Sequence, residues 1–159
     1  MTSAILKLMA IRFALCFLLA GLCFSQNPSD PWSKSDILET PALVEALQSP
    51  KPPVILSVAF AVLYRNRHLP NAVDAGPGSK PEGIDLLKKA VAHLSKDADI
   101  VVYCGCCPMV RCPNTRPAYR TLKDMGFTHV RVLNIPTNMH TDWFSKNYPS
   151  EPGSAATEK

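Results

Sequence analysis

The chain has 159 residues and 47% hydrophobic side chains, enough for one packed domain and not for two. Its net charge is +4, and setting Lys7 and Arg12 aside with the N-terminal segment leaves 15 basic against 13 acidic residues. With no Lys/Arg run and no basic–aromatic stripe, nucleic acid is excluded as an expected partner.

Residues 1–25 read as a secretory signal. Lys7 and Arg12 supply the positive flank, Phe13–Leu22 is an apolar stretch shorter than a membrane span, and Cys23 and Ser25 are small residues at −3 and −1 before Gln26. Cleavage there predicts a bacterial periplasmic or secreted protein with no membrane association. The alternative is an uncleaved N-terminal membrane anchor, since apolar character reaches back to Ile5. Residues 26–34 read as a polar linker, 35–149 as the domain and 150–159 as a flexible tail of small and polar residues.

Within the domain, Ser35 or Thr40 can cap a helix carrying Ile37, Leu38, Leu43, Val44 and Leu47, with Pro41 in its first turn and Pro50, Pro52 and Pro53 ending it. Val54–Val58 reads as a buried strand. Phe60–Arg67 is ambiguous, a short helix carrying Tyr64 inward being one reading, and a turn with a short extended piece at Ala72–Asp74 follows. Pro81–Leu94 is a helix on Ile84, Leu87, Val91 and Leu94. Ile100–Tyr103 is a strand, Thr115–Met125 a helix ended by Gly126, and His129–Leu133 a strand. Met139–Tyr148 reads as a last helix carrying Trp143 and Phe144 into the core. Helices alternating with short apolar strands predict a parallel sheet covered on both faces, with Val54–Val58 and Val101–Tyr103 at its centre.

Chemistry concentrates in one segment. Cys104, Cys106, Cys107 and Cys112 fall within nine residues, directly after the Ile100–Tyr103 strand and before a helix. In open α/β sheets this edge is where ligands bind. Clustered thiols there point to sulfur transfer, thiol redox chemistry or metal binding.

The order of segments resembles the rhodanese-like domain family. Tyr64-Arg65-Asn66-Arg67-His68-Leu69-Pro70-Asn71-Ala72-Val73 is similar to the family's Tyr…Gly-His-Ile-Pro-Gly-Ala stretch. Val101-Val102-Tyr103-Cys104 resembles the strand that ends in the family's catalytic cysteine. Ala118–Phe127 followed by Val130–Leu133 resembles its post-loop helix, Gly-Phe turn and next strand, and Trp143 stands where the family often has a tryptophan. The resemblance implies an α/β fold with a central, mostly parallel sheet of about five strands and helices on both faces. It also implies a sulfurtransferase or sulfur carrier that needs no cofactor. In it Cys104 forms a persulfide from a small anionic sulfane-sulfur donor such as thiosulfate and passes the sulfur to a thiol or a protein acceptor. The departures are Ser57-Val58-Ala59 for Asp-Val-Arg, Asn71 for a glycine, and Asn134-Ile135-Pro136 for a double glycine. The loop is also longer, with Asn114 at the position of its terminal arginine.

For this chemistry the Cys104 thiol must ionise below its ordinary value of about 8.5. Arg111 and Arg116 are expected to attract the anionic donor. Cys106, Cys107 and Cys112 can resolve a Cys104 persulfide, form a Cys107/Cys112 or Cys106/Cys112 disulfide, or hold zinc or cuprous copper. A catalytically inert fold that binds a partner protein is a further alternative. His68 is expected to bond backbone, Asp74 to serve a turn, and His140 to lie off the site. A phosphatase is excluded by counting, because four residues separate Cys106 from Arg111 and six separate Cys104 from it, where a Cys-X5-Arg loop needs five.

Overall fold

The structure, a computed structural model, describes residues 30–153. The expected signal segment and the last six residues of the expected tail lie outside that range. In chain order, a 3₁₀ turn at Lys34–Asp36 leads into β1 (Ile37–Leu38), α1 (Thr40–Leu47), β2 (Val54–Ser57), α2 (Ala61–Asn66), β3 (Arg67–His68), β4 (Val73–Asp74) and α3 (Pro81–Val91). Then come β5 (Ile100–Tyr103), a 3₁₀ turn at Met109–Arg111, α4 (Thr115–Asp124), β6 (Val130–Leu133), α5 (Met139–Asp142), a 3₁₀ turn at Phe144–Lys146 and β7 (Glu151–Pro152).

Five strands form one parallel sheet in the order β1-β6-β5-β2-β4, so β5 is central and β2 lies beside it, as the two most apolar runs predict. All four β5 residues are buried, and they alternate between two cores. Ile100 and Val102 join Leu56, Leu87, Val91, Ala118 and Leu122 on the face covered by α3 and α4. Val101 and Tyr103 join Leu43, Ile55, Leu133 and Trp143 on the face covered by α1 and α5. The period-two alternation is the geometry of the pleat, and a parallel sheet must be covered on both sides because helical crossovers connect its strands. Fully burying a residue such as Leu56 or Leu87 contributes roughly 1.5–3 kcal/mol.

Three sequence expectations are corrected. Ile37 and Leu38 are not helical; they pair with Val132 and Leu133 as the edge strand. Glu39, extended at φ −74° and ψ 150°, separates them from α1, where Thr40 opens the helix and Pro41 occupies the first turn. The last helix is interrupted at Trp143, whose φ −130° and ψ −63° are not helical, and the following 3₁₀ turn ends at Asn147 in the left-handed region. The start of the expected tail forms β7, which runs antiparallel to β3 and pairs His68 with Glu151. Asn71, standing for the family's glycine, adopts φ +54°, a conformation asparagine tolerates better than most residues. Among the described residues, no helix is long and apolar enough to cross a membrane.

Candidate active site

The site begins where β5 ends. Tyr103 O accepts from Val58 N at 2.8 Å, and Cys104 is the first residue past the ladder, only 5% exposed. Gly105 turns the chain at φ +76°, and a Cβ there would strike the Met139 side chain, so both the backbone and the close approach demand glycine. Gly105 O accepts from Met139 N at 3.1 Å, tying the turn to α5.

The rest of the loop is fastened through its own backbone. Met109 N donates to Ile135 O at 2.8 Å, Arg111 N to Pro108 O at 2.9 Å and Cys112 N to Met109 O at 3.1 Å. Those amides are spent, and Pro108 and Pro113 have none to offer. The Arg116 guanidinium donates to Cys112 O at 3.2 Å and Val110 O at 2.8 Å, pairs with Asp30 at 2.5 Å and lies over the Trp32 ring at 5.5 Å. It fastens the loop instead of facing a donor. Arg111 is exposed on the 3₁₀ turn, and neither arginine lines the cavity at Cys104.

Asn114, fully buried at the end of the loop, bridges two segments. Its Nδ2 donates to Cys104 Sγ at 3.2 Å while its Oδ1 accepts from Ser79 N at 3.0 Å. A neutral amide thus points a donor at the reactive sulfur from the position where the resemblance places an arginine.

All four described cysteines of the loop are unbridged, so neither the Cys107/Cys112 nor the Cys106/Cys112 disulfide is formed. Cys106 Sγ lies 3.3 Å from Cys104 Sγ and 3.2 Å from Cys107 Sγ. The sulfurs of Cys104, Cys106 and Cys112 all fall within 4.8 Å of one another.

The charge in this cluster does not rest where the sequence suggests. Cys112 is held down to about 5, first by the hydrogen bond from the Cys104 thiol, against an opposing burial cost, and then by the Thr115 hydroxyl and the Asn114 and Thr115 amides. Those donors belong to the start of α4, a helix end that favours an anion. Cys104 is pushed up, first by donating its proton to Cys112 and then by burial and the neighbouring negative charge, with Asn114 and the Cys106 amide pulling the other way. The two sulfurs share one proton, and the donors at the start of α4 favour the charge on Cys112 and the proton on Cys104.

Cys104, Gly105 and Cys106 also border a cavity of about 280 Å³. Arg67, His140, Tyr64 and Phe144 form walls around it, and Ser57 and Ala59, at the end of β2, line it beside Cys104. The Arg67 guanidinium stacks 4.6 Å over Phe144 and its Nε donates to Ser150 Oγ at 2.8 Å. His140 is brought to the site by α5, contrary to expectation. His68 behaves as expected: its Nδ1 faces Tyr64 O at 3.0 Å, and since a carbonyl only accepts, that nitrogen carries the proton. Asp74 Oδ1 accepts from Gly76 N at 3.1 Å, a turn role.

Sequence reasoning did not assign roles to Asn114, Arg67 or His140. Asn114 was legible only as the loop's last position. Arg67 carried one signal, its place directly before His68, and His140 carried none.

The sequence profile of the rhodanese-like domain matches residues 40–135, more than half of the chain. Among solved structures, the Alr3790 protein from Anabaena sp. is similar at 24% identity and a TM-score of 0.57, over 75% of this chain and 95% of that one. The rhodanese-like domain of the same Anabaena protein, solved by solution NMR, is similar at 25% identity and a TM-score of 0.55, over 78% of this chain and 83% of that one. EanB is similar at 21% identity and a TM-score of 0.53, over 72% of this chain and 27% of its own. No curated protein matches at the same stringency.

Proposed function

The chain belongs to the rhodanese-like domain family, whose fold is of the sulfurtransferase type, and from that premise we propose that Cys104 takes up a sulfane sulfur as a persulfide and hands it on. The observation that carries this reading is the position of Cys104. Its sulfur sits at the C-terminal end of the central strand, at the border of a cavity walled by Arg67 and His140, with amide donors from Asn114 and the Cys106 backbone. That is where an open α/β sheet presents a reacting group.

The step balances within the site. The reacting form is the minor tautomer of the pair, with the proton on Cys112 and the charge on Cys104, and that Cys104 thiolate attacks the outer sulfur of a donor such as thiosulfate. The new Cys104 S–S bond forms as the donor's S–S bond breaks, and sulfite departs with the bonding pair. The anionic persulfide stays on Cys104 and the proton on Cys112. Arg67 draws the anionic donor into the cavity, while Asn114 Nδ2 and the Cys106 amide steady the sulfur that loses and regains charge. A thiol, small or borne on a partner protein, then attacks the outer persulfide sulfur and returns Cys104 to its starting state. We further propose, from the reading of the N-terminal segment as a secretory signal, that this chemistry takes place in the periplasm or the medium of a bacterium, the alternative being a chain held at the membrane by that segment.

The test is intact mass and sulfite release after incubating reduced protein with thiosulfate. A one-sulfur adduct accompanied by stoichiometric sulfite is expected for the native chain, and neither is expected for Cys104→Ser. No adduct on the native chain, or an adduct that survives in Cys104→Ser, overturns the assignment.

A further inference from the structure

Beyond sulfur transfer, we infer that the sulfurs of Cys104, Cys106 and Cys112 form a three-thiolate site for a single cuprous ion. The three Sγ atoms already lie within 4.8 Å of one another. A metal–thiolate bond of about 2.3 Å puts three sulfurs around one ion at roughly 4 Å from each other. The cluster is thus close to the required triangle, and the 3.3 Å gap between Cys104 and Cys106 has only to open slightly.

The ligands come from three backbone contexts that hold the triangle in place. Cys104 is fixed to the end of β5, Cys106 follows the Gly105 turn pinned to α5, and Cys112 closes the Met109–Arg111 turn. Cys104 and Cys112 are buried and Cys106 is exposed. The triangle therefore has a closed floor and one accessible corner, which is an entry path for an ion handed over from solution or from another thiol ligand.

The donor set selects the metal. Among the described residues, no carboxylate or imidazole joins these three sulfurs, so hard oxygen-seeking cations have nothing to bind. Soft thiolates favour cuprous copper and zinc. Zinc in a structural site takes four protein ligands, and Cys107, although beside Cys106 and Cys112, does not converge with Cys104, so zinc on the three sulfurs would be left with an open fourth position. A planar three-sulfur arrangement suits the cuprous ion, which has a filled d shell and no need of a fourth ligand.

The residues behind the sulfurs fit the charge that results. Asn114 Nδ2 donates to Cys104, the Cys106 amide faces the same sulfur, and the start of α4 faces Cys112. Donors in this outer layer offset thiolate charge and orient the ligands. Binding exchanges thiol protons for the ion, and no electron is transferred. Because Cys104 serves both chemistries, a copper-loaded chain cannot carry sulfur, and copper would compete with the donor for the same atom.

The experiment titrates anaerobically reduced full-length protein with Cu(I) against a colorimetric cuprous chelator, with no sulfur donor present. Its failure therefore leaves the persulfide reading standing. One Cu(I) per chain is expected, equally in the native chain and in Cys107→Ser. X-ray absorption is expected to show three sulfur neighbours. Affinity is expected to fall by more than the roughly 10–100-fold that loss of an outer-layer partner costs, in Cys106→Ser and in Cys112→Ser. Cys106 is exposed, so its variant tests the site even if Cys112→Ser does not fold. Copper lost to the chelator by the native chain, undiminished binding in Cys106→Ser, or a two-sulfur or four-sulfur environment would overturn the proposal.

Discussion

The central strand and the loop that leaves it are held by different forces. β5 is buried at every position and alternates its side chains between two apolar cores. The loop from Cys104 to Asn114 sends Cys104, Met109 and Cys112 into one of those cores but is fastened in addition by single polar links, from Arg116 to two carbonyls, from Asn114 to Ser79 and Cys104, and from Met109 to Ile135. The strand supplies stability that hardly depends on pH. The loop places charge, since its links decide which sulfur is ionised and which faces the cavity. Damage to the strand should therefore unfold the protein without altering the chemistry of the molecules that remain folded, and damage to the loop should do the reverse.

The largest expected effect on stability is in the sheet. Leu56→Ala removes a fully buried side chain beside β5 and should cost roughly 2–5 kcal/mol in urea unfolding. The sulfur adduct formed per folded molecule should be unchanged. A selective loss of adduct would show that the sheet and the loop chemistry are coupled more tightly than their contacts suggest.

A smaller loss of stability, with a larger change in chemistry, is expected at Asn114. Asn114→Ala strips the Ser79 amide of its acceptor and Cys104 of a donor in a buried place. The cost should be about 1–3 kcal/mol, and persulfide formation from thiosulfate should slow in stopped-time mass measurements. An unchanged rate would remove Asn114 from the chemistry and leave it a purely structural bridge.

A third test is a pH dependence, read on reduced, metal-free protein. Cys112 is held at about 5 in the folded chain, below the roughly 8.5 of an unfolded cysteine. Between those values the unfolded chain binds the extra proton, so stability rises with pH through that window and the contribution is lost as pH falls through about 5. Cys104 is shifted the other way, so its contribution is present below about 8.5 and is lost as pH rises beyond it. The urea midpoint should thus climb from pH 5 to a maximum near 8.5 and then decline. Cys112→Ser should flatten the climb, and a climb that persists in that variant would place the thiolate elsewhere.

The apolar patterns of the chain determined the α/β layering, the central pair of strands and the presence of a thiol cluster at the ligand-binding edge, because pleat and helix periodicities act over a few neighbouring residues. Ile37 and Leu38 fit a helical pattern as well as a strand, and only the nearby Val132 and Leu133 decided between them. The start of the tail became a strand only because β3 offered it an edge. Arg67 and His140 reached Cys104 from distant segments through the packing of β3 and α5, whereas Arg116, close in sequence, was drawn to carbonyls and Asp30. The ionised sulfur was also decided in three dimensions. Four cysteines in a row of letters are chemically alike, and they differ here because the donors at the start of α4 converge on Cys112 while Cys104 keeps its proton and shares it with that neighbour in a hydrogen bond.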